Sequence, residues 1–119
     1  MGREAPPHSE AAEARIARFH PDTVAEVGAA IGSHRVVVVG MGWNPHVRRA
    51  RRALDEGGVP YHYLGYGNYV TGWRQRLAIK LWSGWPTFPQ VYCDGRLVGG
   101  ADEAIAALAD GTLKQTSAA

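Results

Sequence analysis

The stretch Trp85-Pro86-Thr87-Phe88-Pro89-Gln90-Val91-Tyr92-Cys93-Asp94-Gly95-Arg96-Leu97-Val98-Gly99-Gly100-Ala101-Asp102 decides the fold. Its two close prolines rule out a helix through Trp85 to Pro89. The run Gln90 to Cys93 reads as a strand, and Asp94-Gly95 is a two-residue hairpin turn. Arg96 to Val98 then returns antiparallel. Gly99-Gly100 breaks that strand, and Asp102 opens a helix to about Leu108.

Upstream, Arg35 to Val39 holds four consecutive valines before Gly40. A short β-branched run bounded by glycine fits a strand buried on both faces. Gly40-Met41-Gly42-Trp43 is a loop. Asn44 then caps a helix with Pro45 at its first position, where the missing N–H costs nothing. Val47, Ala50 and Leu54 give that helix its apolar face, and Gly57-Gly58 stops it. Tyr61 to Leu64 is the next strand, Gly65 to Gly72 a loop, and Trp73 to Leu81 a helix. Earlier still, Pro21-Asp22-Thr23 starts a helix, with Asp22 or Thr23 as cap and Val24, Val27 and Ile31 on one face. The order α-β-α-β-α-β-β-α combines a β-α-β unit with a hairpin. That implies a four-stranded mixed sheet with helices on both faces, an α/β class. Residues 1–20 read as an N-terminal extension, flexible and with a loose helix from Glu10 to Phe19. Residues 21–113 form the domain and 114–119 a tail.

Composition narrows the function classes. The 119 residues carry a formal charge of only +2. The run Val47-Arg48-Arg49-Ala50-Arg51-Arg52 has no aromatic platform beside it, so no nucleic-acid partner is expected. No apolar stretch approaches a membrane span, and the first ten residues lack the apolar core of a secretion signal. No membrane partner and a cytoplasmic location are expected. Cys93 is the single cysteine, which excludes an intramolecular disulfide and a multi-thiolate zinc site.

With these residues in place, the phrase from Trp85 to Tyr92, then Asp94-Gly95, then Leu97-Val98-Gly99-Gly100-Ala101-Asp102 resembles the glutaredoxin family. Extended upstream to Lys80-Leu81-Trp82-Ser83-Gly84, it is most similar to the monothiol branch, whose active site reads C-G-F-S. The resemblance covers about residues 22 to 113 and implies a thioredoxin-like fold with a glutathione groove. Pro89 begins a strand after an extended residue, a setting where a cis X-Pro bond is commonly fixed. A cis bond would turn the Phe88 N–H and C=O outward to pair with an extended peptide; the alternative is that Pro89 only shapes a turn. Gly100, Ala101 and Asp102 offer helix N-terminal N–H groups to a carboxylate and a carboxylate to an ammonium, both parts of an amino-acid head group. In the family this spot takes the γ-glutamyl end of glutathione. A plain helix cap by Asp102 is the compatible, simpler reading. For the glycine carboxylate the resemblance implies Arg76 and Lys80, four apart on one helix face. The glutathione-binding set is thus Arg76, Lys80, Thr87, Phe88, Pro89, Gly100, Ala101 and Asp102.

Two departures matter. The family's lysine before the active cysteine has no counterpart in Gly40-Met41-Gly42-Trp43. The active-site tetrad falls on Asn44-Pro45-His46-Val47, so the catalytic positions Asn44 and Val47 are vacated. Thiol–disulfide exchange needs an attacking sulfur, and asparagine has none. The expectation is therefore a glutaredoxin-like protein that binds glutathione, or a glutathionylated or extended peptide, without exchange of its own. One alternative is an oxidoreductase working through Cys93 or a partner's cysteine. Another is an adaptor whose Arg48, Arg49, Arg51 and Arg52 dock on an acidic protein. No metal or iron–sulfur cluster is expected, because the ligating cysteine is missing. Cys93 reads as a small apolar filler. His46 lies one turn into the helix beside the groove; Trp43, Trp73, Trp82 and Trp85 suggest aromatic packing around it, with core packing the expected role for most of them.

Overall fold

A computed structural model describes residues 6–113; the expected tail 114–119 and the first five residues of the extension lie outside the described residues. The elements are α1 (Glu10–Ala17), α2 (Pro21–Ser33), β1 (Val36–Gly40), α3 (Pro45–Glu56), β2 (His62–Gly65), α4 (Trp73–Ser83), β3 (Gln90–Cys93), β4 (Arg96–Gly99) and α5 (Ala101–Ala109). The sheet order is β2-β1-β3-β4. β1 and β2 run parallel, while β3 is antiparallel to both β1 and β4. This is the thioredoxin-like mixed sheet, with α2 and α4 on one face and α3 and α5 on the other.

The valine run explains the two faces. Successive strand side chains alternate across the sheet. Val37 and Val39 pack with Val27 and Ala30 of α2 and Ile79 of α4. Val36 and Val38 pack with Leu54 of α3 and Ala104 and Ala107 of α5. All four valines are at most 1% exposed, as a central strand covered twice requires. Gly40 extends β1 one residue beyond the expected end by pairing with Gly65 of β2, and the site has no room for a larger residue. A Cβ there would lie 2.7 Å from Val47 Cγ1.

The hairpin turn is as read: Asp94 and Gly95 both have positive φ, 53° and 80°, the primed geometry of a two-residue loop. The cap of α2 is not. The helix begins at Pro21 after His20, with no side-chain cap. Proline's fixed φ already suits the first helical position, and Thr23 is buried with its hydroxyl accepting from Gln75 Nε2 at 3.3 Å. The loose helix read in residues 10–19 is α1, begun by Ser9, whose Oγ accepts from the Ala12 N–H.

The register gathers the site at one end of the sheet. Val39 pairs with Gln90, so Pro89 lies beside the end of β1. Gly99 pairs with Val91, which brings the start of α5 to the same end. Cys93 pairs with Val36 at the opposite end. Four residues of strand, about 13 Å, separate the two.

Candidate functional site

A cavity of about 310 Å³ opens between the first turns of α3 and α5 and the Trp85–Pro89 segment. Thr87, Phe88, Pro89, Gly100, Ala101 and Asp102 line it, joined by His46, Arg49, Trp85 and Glu103. The Phe88–Pro89 peptide bond is cis. Among the described residues, neither the N–H nor the C=O of Phe88 has a backbone partner. The segment is braced from behind by Gln90, which is fully buried. Its Nε2 donates to the Trp85 carbonyl at 3.0 Å, and its Oε1 accepts from the Tyr92 hydroxyl at 2.8 Å. The Trp85 indole N–H is buried with no hydrogen-bond partner among the described residues.

Asn44 does what its position dictates. Its side-chain oxygen accepts from the N–H groups of His46 at 2.8 Å and Val47 at 3.2 Å. The start of α3 is thereby satisfied from within, and Asn44 is buried. Val47, expected to be the second vacated position, is 2% exposed and belongs to the apolar core. Met41, in the loop where the resemblance implies a lysine, is buried in the same core. Trp43 has φ of 65°, and Trp43, Trp73 and Trp82 are exposed instead of packed in the core, while Trp85 lines the cavity.

The start of α5 is arranged differently. Asp102 is not its cap. Gly100 holds that position, and Glu103 reaches back so that its Oε1 accepts from the Gly100 N–H at 2.9 Å. Asp102 Oδ1 instead accepts from Arg49 Nη2 at 2.5 Å, across the cavity from α3. The hydrogen bond from Arg49 holds the Asp102 carboxyl below the usual carboxylate range, with further help from the charges of Arg49 and His46.

The structure does not bring Arg76 and Lys80 together at one carboxylate. Arg76 is buried, and its Nη1 donates to the Tyr66 carbonyl at 2.9 Å and the Thr71 carbonyl at 2.6 Å. It braces the 66–72 loop, and burial lowers its pKa. Lys80 does approach the groove, with Nζ 5.7 Å from the Phe88 ring centroid.

The basic run is divided by helical geometry. Arg49 turns to Asp102, while Arg51 donates to the Tyr61 hydroxyl at 3.1 Å and lies 3.8 Å from the Tyr63 ring centroid. Arg48 and Arg52 stay exposed, without an ion pair among the described residues. The sequence reading did not place Arg49 in the groove. The signal was available: three residues beyond His46, it shares that residue's helix face. Glu103, three residues after Gly100, likewise carried the spacing of a reach-back cap.

Cys93 is buried at the far end of β3, with Sγ 3.5 Å from Asp94 Oδ2. Burial pushes its thiol pKa up, and the Asp94 charge adds to that while Arg35 opposes it. Among the described residues there is no cluster of three or more metal-ligating side chains. No described helix is long and apolar enough to cross a membrane.

Known proteins share this architecture. The family pattern described as Glutaredoxin matches residues 36–98. A glutaredoxin-like protein of Dictyostelium discoideum is 50% identical over 98 residues, 82% of this chain and 80% of its own length. The chloroplastic monothiol glutaredoxin-S7 of Oryza sativa subsp. japonica is 33% identical over 104 residues, 81% of this chain and 58% of that protein. Among solved structures, oxidized glutaredoxin 2 from Chlamydomonas reinhardtii superposes with a TM-score of 0.67 at 25% identity, covering 79% of this chain and 89% of that one. A buckwheat glutaredoxin–glutathione complex shares the fold, with a TM-score of 0.69 at 22% identity over 79% of this chain and 86% of that one.

Proposed function

The chain belongs to the glutaredoxin family, and from that premise we propose that it binds glutathione, or an extended peptide carrying it, without thiol–disulfide exchange of its own. One observation carries the reading. Six residues expected to hold the ligand line a single cavity, and the helix start beside it is capped by Asn44, the position to which the sequence resemblance assigns the family's nucleophile. The free N–H and C=O of Phe88 suit an extended ligand backbone. The opening turn of α5 and Asp102 suit an amino-acid head group, and for a distal carboxylate Lys80 is left as a single cation of small effect. The buckwheat complex supports glutathione as the ligand of this fold, and the rice relative supports the monothiol branch. The binding unit is residues 21–113, residues 1–20 are an extension, and the protein is cytoplasmic.

Exchange requires a sulfur in the groove. Cys93 is at the other end of the sheet, so the sulfur this groove receives belongs to its ligand. The exposed Arg48 and Arg52 are the positions through which an acidic protein would dock.

Calorimetry with reduced and oxidised glutathione tests the reading. With Met41 in place of a lysine and Arg76 turned away, the expected Kd is roughly 0.1–10 mM. Asp102→Ala weakens binding by about tenfold or more, the loss of one charge-assisted contact. Absence of binding to either form, or unchanged affinity in Asp102→Ala, overturns it.

A further inference from the structure

The two ends of the groove are charged unequally. At the α5 end stand Arg49 and Asp102, with His46 and Glu103 beside them. Arg49 engages Asp102 through Nη2 alone and Asp102 replies through Oδ1 alone. Arg49 Nε and Nη1 and Asp102 Oδ2 therefore have no partner among the described residues. Their side chains are 46% and 81% exposed, so both charges keep an open side. The N–H groups of Ala101 and Asp102 are likewise unpartnered. At the other end only Lys80 remains, since Arg76 is committed to the 66–72 loop and Met41 to the core.

A zwitterionic head group complements such an ion pair. Its carboxylate meets the guanidinium and the first N–H groups of α5, and its ammonium meets the free oxygen of Asp102. Exposed ion pairs hold their geometry weakly, so the pair can open slightly to admit the ligand. A guanidinium gives a carboxylate two parallel donors that no lysine supplies.

Resting on the groove reading above, we propose that Arg49 is a specificity-determining residue. It selects ligands by a free α-amino-acid head group and leaves the distal carboxylate dispensable. The ligand class is then γ-glutamyl peptides in general, including those blocked or extended at the C-terminal end, rather than glutathione alone.

The test titrates the native protein and Arg49→Gln with glutathione, its glycine ethyl ester and N-acetylglutathione, following backbone amide shifts. In the native protein the ester binds within about threefold of glutathione, and N-acetylglutathione at least about tenfold more weakly, the loss of a charged hydrogen bond. Arg49→Gln weakens glutathione and ester alike by about tenfold. Unchanged or tighter binding in Arg49→Gln overturns the proposal, since Arg49 then only ties α3 to α5 and competes for Asp102. A loss for the ester as large as for N-acetylglutathione overturns it as well. If none of the three compounds shifts the Ala101 and Asp102 amides of the native protein, the groove reading itself falls and the proposal with it. Because Arg49 is half-exposed and outside the core, Arg49→Gln is expected to fold, and its unshifted amide spectrum away from α3 and α5 verifies that.

Discussion

Two helices begin at the groove, and they treat their free N–H groups in opposite ways. At α3, proline removes one N–H and Asn44 takes the next two through a single oxygen. At α5, Glu103 takes only the Gly100 N–H, and those of Ala101 and Asp102 have no partner among the described residues. The first helix start is closed on itself, and the second keeps two N–H groups without a partner among the described residues. On the function proposed above, in a family that places its reactive sulfur at the first, this difference would separate binding from chemistry.

The largest effect on this contrast comes from Gly99. Its φ is 136°, and a Cβ there would lie 2.6 Å from Glu103 Cγ. Gly99→Ala both strains the backbone and pushes Glu103 off the Gly100 N–H. We expect a loss of about 2–4 kcal/mol in urea unfolding, together with loss of glutathione binding. An unchanged midpoint would show that Glu103 does not set the start of α5.

A smaller loss follows at the other helix. Asn44→Ala removes two N–H acceptors and should cost about 0.5–2 kcal/mol, whereas Asn44→Asp, which keeps an acceptor, should cost less. Equal losses for the two would mean that shape, and not capping, fixes Asn44.

The pH dependence of the α5 end is smaller still. Asp102 titrates below its ordinary value because Arg49 hydrogen-bonds its ionised form. A depressed carboxyl pKa stabilises the fold fully above the unfolded value, near 3.9. That contribution disappears as pH falls through the folded value. Carboxyl NMR should show Asp102 moving up toward the ordinary range in Arg49→Gln. No movement would break the link between the two residues.

The smallest effect concerns the lone sulfur. Burial raises the Cys93 pKa, so the fold favours the protonated thiol. This contribution is present below the ordinary thiol value and is lost as pH rises through the raised one. Alkylation of the native protein should be slower than that of the urea-unfolded chain, with its pH profile displaced upward. Asp94→Asn should shift that profile slightly downward. Alkylation at the rate of the unfolded chain would return Cys93 to consideration as a working thiol.

Much of this arrangement was legible in the residue order. The valine run, the Asp94-Gly95 turn and the Asn44-Pro45 helix start each express a local backbone preference. They fall within a residue or so of where they were read. The Trp85 to Pro89 and Gly99 to Asp102 segments also declared themselves, because proline and glycine constrain the chain strongly wherever it goes. What stayed hidden depends on where long side chains turn. Arg76 has the spacing of a ligand cation, but the 66–72 loop offers its guanidinium two carbonyls. Arg49 was one arginine in a run until the packing of α3 against α5 set it opposite Asp102. Asp102 looked like a cap, yet Glu103 reaches the Gly100 N–H and leaves Asp102 free for Arg49. Long flexible side chains choose partners among groups distant in sequence, and no local periodicity encodes that choice.

The most direct test of an open groove beside a vacated reacting position is to return the sulfur. In a Cys93→Ser background, Asn44→Cys places a thiol at the start of α3, where the helix N–H groups favour the thiolate and lower its pKa by about one unit or more from about 8.5. Incubated with oxidised glutathione at neutral pH, this protein should show by mass spectrometry one glutathione joined through a mixed disulfide at position 44, and Cys93→Ser alone should show none. A thiol there that titrates like free cysteine and forms no adduct would contradict the account, since the groove would then be unable to present glutathione to the start of α3.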